Sequence, residues 1–454
     1  MNRPPAQSSP GPPDRRPALT GGQSNGRSAA GQAIVAALAT PTSPTVLDSA
    51  TPPHVDGPAD AAGPDDPRAA IAGADIGALY LHLPFCFHKC HYCDFYSVVD
   101  QKEDRQEAFT TALIHELERR CDEATLKPVT IFVGGGTPTY LRPPLWARLL
   151  EAMHRRGVLD RVTEFTVEAN PETVTPALMR QLAQGGVNRV SIGAQSFDRG
   201  SLAALERWHD PDNVPRAVDA CRAAGLTNFS LDLIFAIPGQ TLDMLDTDLD
   251  RLLQLRPRHL STYGLTFEPQ TPLAARLRVG QVTEVDDDTQ RAMYGRVLDR
   301  LEAAGFERYE ISNWAKQAGA GDRPGANRCR HNLAYWHNEN WLGLGPAAAS
   351  HIGGRRWRNA PNLTTYLATS PRPTTADHEA LPPEDRVGER LMLGLRLAEG
   401  VARAWLDEHA PAASRRGRAI AEMVDLGMLT WTPTHLRLTR RGLFVADSVI
   451  AKLL

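Results

Sequence analysis

From Ala78 to about residue 316, short apolar runs alternate with amphipathic stretches, and this alternation limits the fold more than any other feature of the chain. Short strands separated by helical stretches too long for hairpins run parallel, each crossing a face of the sheet before the next one pairs. The strand candidates are Leu79–Leu83, Thr130–Val133, Glu164–Glu168, Arg189–Gly193, Phe229–Phe235 and Leu260–Leu265. Between them lie helix candidates such as Glu107–Arg119, where Phe109, Leu113 and Leu117 recur at helical spacing, and Leu242–Leu255. These six strands predict an α/β fold, a partial and open parallel (β/α)6 barrel. Barrels of this kind carry their chemistry on the loops at the carboxyl ends of the strands.

A chain of 454 residues exceeds one ordinary domain, so further units are expected around the barrel, which is assigned residues 73–315. Residues 1–72, rich in Pro, Ala, Gly, Ser and Thr, have a composition that does not repay the entropy of ordering and are predicted to be disordered. Arg3, Arg15, Arg16 and Arg27 allow a transit-peptide reading, which the proline density disfavours. A start assigned too far upstream would look the same. Residues 316–375, Gly-rich and Trp-rich, read as a connecting segment. Residues 376–454 read as a small, mainly α domain. One helix starts behind Pro382 and Pro383 with Val387, Leu391 and Leu395 on one face, and a second carries Ile420 and Val424 and stops at Gly427. Leu429–Trp431 and Leu436–Leu438 then form a winged-helix-like hairpin. A net charge of -3 gives no electrostatic ground for nucleic acid as a partner. No apolar stretch approaches the roughly 18 residues that span a bilayer, and no signal peptide stands near Met1, so a cytoplasmic location is expected.

Cys86, Cys90 and Cys93 follow the first strand. Thiols this closely spaced suit a metal better than a disulfide framework. Three thiolates can hold three irons of a cubane and leave the fourth iron open to a small molecule. A closed zinc site of three Cys and one His, with His82, His88 or His91 as fourth ligand, draws on the same side chains and would make the protein a zinc-stabilised binding module. The surroundings favour the cluster. Gly134, Gly135, Gly136 and Thr137 follow the second strand, where glycines let the backbone approach a ligand. Glu168, Gln195 and Asp232 bring polar side chains to one mouth. Each taken singly also fits a loop cap or a satisfied core polar group.

These motifs resemble the radical S-adenosylmethionine superfamily, and within it the oxygen-independent coproporphyrinogen III oxidase group. The likeness runs from Tyr80 to the C-terminus, through Gly-Gly-Gly-Thr-Pro-Thr-Tyr-Leu, Ser-Ile-Gly-Ala-Gln-Ser-Phe and Asp-Leu-Ile-Phe-Ala-Ile-Pro-Gly-Gln. It implies a [4Fe-4S] cluster on Cys86, Cys90 and Cys93, with an external electron donor, and S-adenosyl-L-methionine contacted by Tyr80, Gly135 and Glu168. Tyr92, Gly136, Thr137, Gln195, Arg207 and Asp232 match positions that line a second S-adenosylmethionine in the oxidases. Phe235 and Ala236 depart from the group, where Tyr and Gly are usual.

The group holds oxidases and heme chaperones, and the chain resembles the chaperone branch. Phe95 stands where the oxidases have another Cys, and a low-complexity segment replaces their substrate-contacting extension. The run His331-Asn332-Leu333-Ala334-Tyr335-Trp336 resembles that branch's signature, as do Leu342-Gly343-Leu344-Gly345, Ser350 and Tyr309-Glu310-Ile311-Ser312-Asn313. The resemblance implies heme as cargo and heme-accepting apo-proteins as partners, with coproporphyrinogen III decarboxylation as the alternative activity. His331 or His259 can offer an axial donor, and Tyr335, Trp336 and Trp341 can offer walls. Arg355, Arg356 and Arg358 can offer cations for the propionates. Against this, a histidine beside Tyr and Trp is commonly a hydrogen-bonded core residue, and an arginine run is commonly a solvated face. Cys121 and Cys221 read as inert thiols in helices, whereas Cys329, two residues before His331, is less easily dismissed.

Overall fold

The computed structural model describes residues 66–454 apart from 101, 125 and 320–322, so the low-complexity segment lies outside the described residues as far as residue 65. Its main sheet has strands β1 (Ala78–Leu83), β2 (Thr130–Gly135), β3 (Glu164–Ala169), β4 (Arg189–Gln195), β5 (Phe229–Phe235) and β6 (His259–Gly264). It continues with β7 (Phe306–Arg308), β8 (Asn313–Lys316), β9 (Trp341–Leu344), β10 (Ala349–Ile352), β11 (Arg355–Asn359) and β12 (Thr375–Ala380). The spatial order is β12-β11-β10-β9-β1-β2-β3-β4-β5-β6-β8-β7. From β9 through β1 to β6 every pairing is parallel, and antiparallel strands extend both edges.

Period-two alternation sorts the parallel strands into two faces. Leu79, Leu81, Ile131, Val133, Phe165, Val167, Val190, Ile192, Leu231 and Leu260 are fully buried in the apolar core. Helices such as Glu103–Glu123, Pro143–Arg155 and Leu242–Gln254 add Phe109, Leu113, Trp146 and Leu249 to the same core. The alternate positions carry Tyr80, Glu164, Thr166, Glu168, Arg189, Ser191, Ser230, Asp232, His259 and Ser261. Hydrogen bonds join several of these across strands, including Ser191 to Asp232 and Ser230 to His259. The barrel therefore has an apolar outer layer and a polar interior.

The stretch read as a connecting segment supplies β9 to β11, and β12 runs from its last residue into the stretch read as the C-terminal domain. β9 lies parallel beside β1, pairing Leu79 with Leu342 and Leu81 with Leu344. The fully buried Glu116 fastens this segment to the first long helix, accepting from Gly345 N (2.9 Å), Asn359 Nδ2 (3.0 Å) and Tyr366 OH (2.7 Å). At the C-terminus, Pro383–Gly394, Arg403–His409 and Arg415–Asp425 are helices, and the hairpin Leu429–Trp431/His435–Leu438 gains a third strand, Val401–Ala402. No helix of the described residues is long and apolar enough to cross a membrane.

Candidate functional site at the barrel mouth

The cysteine loop leaves the carboxyl end of β1. Its base is pinned where Phe85–Cys86 pairs with Val98–Val99, and its middle where Cys93 N donates to Cys90 O (3.2 Å). Cys86 and Cys90 are buried and Cys93 is half-buried. Thr137 Oγ1 donates to Cys86 Sγ at 3.4 Å, and Arg207 Nη1 to Cys90 Sγ at 3.5 Å. Burial pushes the Cys86 thiol up and the Cys93 thiol up to about 12. A bound metal reverses that tendency, because coordination deprotonates a thiol outright. Of the three histidines weighed as zinc ligands, His82 has both ring nitrogens engaged, Nδ1 with Tyr80 OH (3.2 Å) and Nε2 with Tyr96 O (2.8 Å). His88 bonds Glu206 O through Nε2 (2.9 Å) and lies flat on Trp208, ring centroids 3.7 Å apart. His91 Nδ1 has no hydrogen-bond partner.

The glycine run closes against this loop. A Cβ on Gly134 would stand 2.8 Å from Glu168 Oε2, one on Gly135 2.7 Å from the His82 ring, and one on Gly136 2.6 Å from Phe85 O. Gly135 also takes a φ of 103°, which favours glycine. Gly136 N donates to Leu83 O and Thr137 N to Phe85 O, both at 2.7 Å. Those two amides hold the cysteine loop and do not face an open site.

Inside the mouth, burial and then the neighbouring Asp232 push the Glu168 carboxyl up to about 8. Burial raises Asp232 too, against hydrogen bonds from Ser191 Oγ (3.1 Å) and Ser230 Oγ (3.2 Å). Two carboxylates that resist ionising together gain from a cation placed between them. The ammonium group of an amino acid is such a cation, and buried thiols behind a cradle that admits no side chain are a suitable donor set for iron. The residues present therefore fit a thiolate-bound cluster carrying S-adenosylmethionine. Cys86, Cys90 and Cys93 would hold the cluster, with Glu168 facing the amino group.

The remaining mouth residues divide. Gln195 ends β4 at a φ of 60° and Ala236 follows β5 at 61°, both strained for residues with a Cβ. Tyr92 packs among Leu205, Ile234, Ile237, Leu265 and Leu273. Arg207 has all three guanidinium nitrogens engaged, on Cys90 Sγ, Gly193 O (3.0 Å) and His209 Nδ1 (3.2 Å). His209, whose imidazole burial and Arg207 push down to about 3, was not foreseen from the sequence. Its adjacency to Arg207 in the chain is the only signal.

His331 and His259 lie at the opposite end, the amino-terminal ends of the strands. The helix Arg330–Trp336 plugs the barrel there. Glu164, the first residue of β3, accepts from its Arg330 N (2.9 Å), His331 N (3.0 Å) and Cys329 Sγ (3.4 Å). His331 is buried, with Nδ1 on Thr130 Oγ1 and Nε2 on Tyr335 OH, both at 2.9 Å, and with its ring stacked on Phe132. His259 is likewise buried between Ser230 Oγ (2.8 Å) and Tyr309 OH (2.7 Å). In this arrangement neither ring has a lone pair to offer iron, so both sit as hydrogen-bonded core residues. Tyr335 packs on Trp341, and Trp336 is partly buried. Arg356 and Arg358 are buried rather than solvated, Arg356 paired with Glu379 (3.2 Å) and Glu389, Arg358 with Asp377. Arg355 is exposed. Cys121 and Cys221 fall in helices as expected, and Cys221 Sγ packs 3.6 Å from Met179 Sδ.

Residues 80–252 match the model of the radical SAM superfamily, and 381–445 that of the HemN C-terminal domain. The chain is 38% identical to the heme chaperone HemW of Mycobacterium tuberculosis over 392 residues, covering 85% of this chain and 96% of that protein. It is 33% identical to the heme chaperone HemW of Bacillus subtilis, covering 83% and 98%. The solved structure of coproporphyrinogen III oxidase (HemN) from Escherichia coli, described as a radical SAM enzyme, superposes with a TM-score of 0.74 at 20% identity over 86% of this chain and 93% of that one, a likeness of fold. The chain thus belongs to the HemW heme-chaperone family of the radical SAM superfamily.

Proposed function

We propose that the protein binds heme and delivers it to apo-proteins, using a [4Fe-4S] cluster on Cys86, Cys90 and Cys93 with S-adenosylmethionine at its open iron. The observation that supports it most is the convergence of three closely spaced thiols, two of them on buried residues, a glycine run that tolerates no side chain and the Glu168–Asp232 pair at one barrel mouth. When bound, the cluster supplies a one-electron store. The protein orients the cofactor and keeps water from it. Decarboxylation of coproporphyrinogen III is disfavoured because Phe95, 41% exposed, occupies the place of the oxidases' additional cysteine.

Heme docks at the stretch His331–Trp336 only when the plug helix lifts, since His331 must first release Thr130 and Tyr335. Two buried hydrogen bonds at about 1 kcal/mol each weaken binding by roughly thirtyfold. That is an advantage for a carrier that must let go of its cargo. A hemin titration followed by absorbance tests this. Wild type should show a saturable Soret shift and pass heme to an apo-protein, His331→Ala should lose both, and His259→Ala should keep both. Carbon dioxide release from coproporphyrinogen III with reductant and S-adenosylmethionine would instead establish the oxidase.

A further inference from the structure

We propose that Arg207 is a positioning residue for the cluster's electron, holding its reduction potential up through the Cys90 ligand; this rests on the cluster reading above. The position matches one that lines a second S-adenosylmethionine in the oxidases, yet here the guanidinium is fully committed within the protein. Nη1 reaches Cys90 Sγ (3.5 Å), Nη2 reaches Gly193 O (3.0 Å) and Nε reaches His209 Nδ1 (3.2 Å).

The surroundings hold this fork in one pose. A Cβ on Gly193 would come within 3.1 Å of Arg207 Nη2 and 2.7 Å of Gln195 Nε2, so glycine in β4 is what lets the guanidinium lie against the strand. His209 is buried and offers Nδ1 as an acceptor, so it positions the charge without adding to it. Thr137 gives Cys86 a neutral O–H donor at 3.4 Å, whereas Arg207 gives Cys90 an N–H donor carrying a full charge. Hydrogen bonds to the cysteine sulfurs and net charge are among the factors that set a cluster's potential. One added electron makes the cluster more negative, so a fixed cation at a ligand stabilises the reduced form more than the oxidised one, and more so where water is excluded. An arginine held on three sides does this without reorganising.

The test is a redox titration of anaerobically reconstituted protein, followed by paramagnetic resonance, for wild type, Arg207→Lys and Arg207→Gln. Arg207→Gln should hold the same iron and sulfide but show a reduced-to-oxidised ratio about tenfold lower at a given poise, a fall of about 59 mV for a one-electron couple. Arg207→Lys, which keeps the charge but not the fork, should fall between. A wild-type midpoint in a fully loaded Arg207→Gln protein overturns the proposal while leaving the cluster reading intact. An unchanged midpoint with weakened S-adenosylmethionine binding would make Arg207 a cofactor contact. Should the variants not fold, wild-type protein carrying arginine enriched in heavy nitrogen decides the matter. The reduced cluster should show a weak coupling to that nitrogen, and its absence overturns the proposal. Wild-type protein that takes up no iron and sulfide would fail the cluster reading itself.

Discussion

The two ends of the barrel are built from the same kinds of residue and differ in what those residues meet. At the floor, Glu164, His331, Thr130, Tyr335, His259, Ser230 and Tyr309 bond one another, and a helix seals them in. At the mouth, the Glu168 carboxyl is held near 8 beside a second carboxylate, three cysteines stand together, two of them buried, and strained backbone stands at Gln195 and Ala236. Polarity alone therefore does not mark a site in this fold. Groups that bond one another beneath a helix contribute stability, whereas two neighbouring carboxylates beside thiols suit a cation and a metal.

The sharpest break of that comparison is His331→Ala. It removes two buried hydrogen bonds and strands the Thr130 and Tyr335 hydroxyls, so thermal or denaturant unfolding should show a loss of about 2–4 kcal/mol. A loss below about 0.5 kcal/mol would mean that these hydrogen bonds do not hold the floor together. The variant should also alter the acid side of the stability profile. Burial pushes the imidazole down to about 3, so the unfolded state binds the extra proton between that value and 6.5, and wild-type stability falls as pH drops through this window.

An effect of opposite sign is expected at the mouth. Glu168 keeps its proton to about 8 in the folded protein against 4.5 ordinarily, so the native state is the more protonated form between those values. The stability of the cofactor-free protein should therefore fall as pH rises from 4.5 to 8. Glu168→Gln should flatten that slope and leave the protein more stable than wild type at pH 8. Affinity for S-adenosylmethionine should run the other way, tightening as pH rises through the same window, because the proton must leave before the carboxylate can meet the ammonium. Parallel slopes for stability and affinity would disprove this assignment of Glu168.

How much of this could be read from the chain depended on whether the partner was local. The strands expected at Thr130–Val133, Phe229–Phe235 and Leu260–Leu265 stand within two residues of those positions, because alternation along a buried strand is written in consecutive residues. β9 escaped notice because Trp341-Leu342-Gly343-Leu344 reads as a glycine-rich loop. Gly343 is required because a Cβ there would meet Ala349 O at 2.3 Å. Arg355 to Asn359 read as a charge run because Glu379, Glu389 and Asp377, which neutralise Arg356 and Arg358, come from β12 and the next helix. At the site, the cysteines, glycines and carboxylates were legible from residue type and place after a strand. The burial of His331 was among the readings its Tyr and Trp neighbours allowed, but its partner Thr130, on a distant strand, was not legible, and nor was the direction of Arg207, which Gly193 decides.

The central claim is that the mouth holds an iron-sulfur cluster with one iron open to S-adenosylmethionine. It is tested most directly on protein reconstituted without oxygen, reduced, and examined by metal analysis and paramagnetic resonance before and after the cofactor is added. The account predicts about four iron and four sulfide per chain, lost when Cys86, Cys90 and Cys93 are all replaced by Ala, and a cluster signal that changes on adding S-adenosylmethionine. One zinc without sulfide, or a cluster signal unmoved by saturating cofactor, would contradict it.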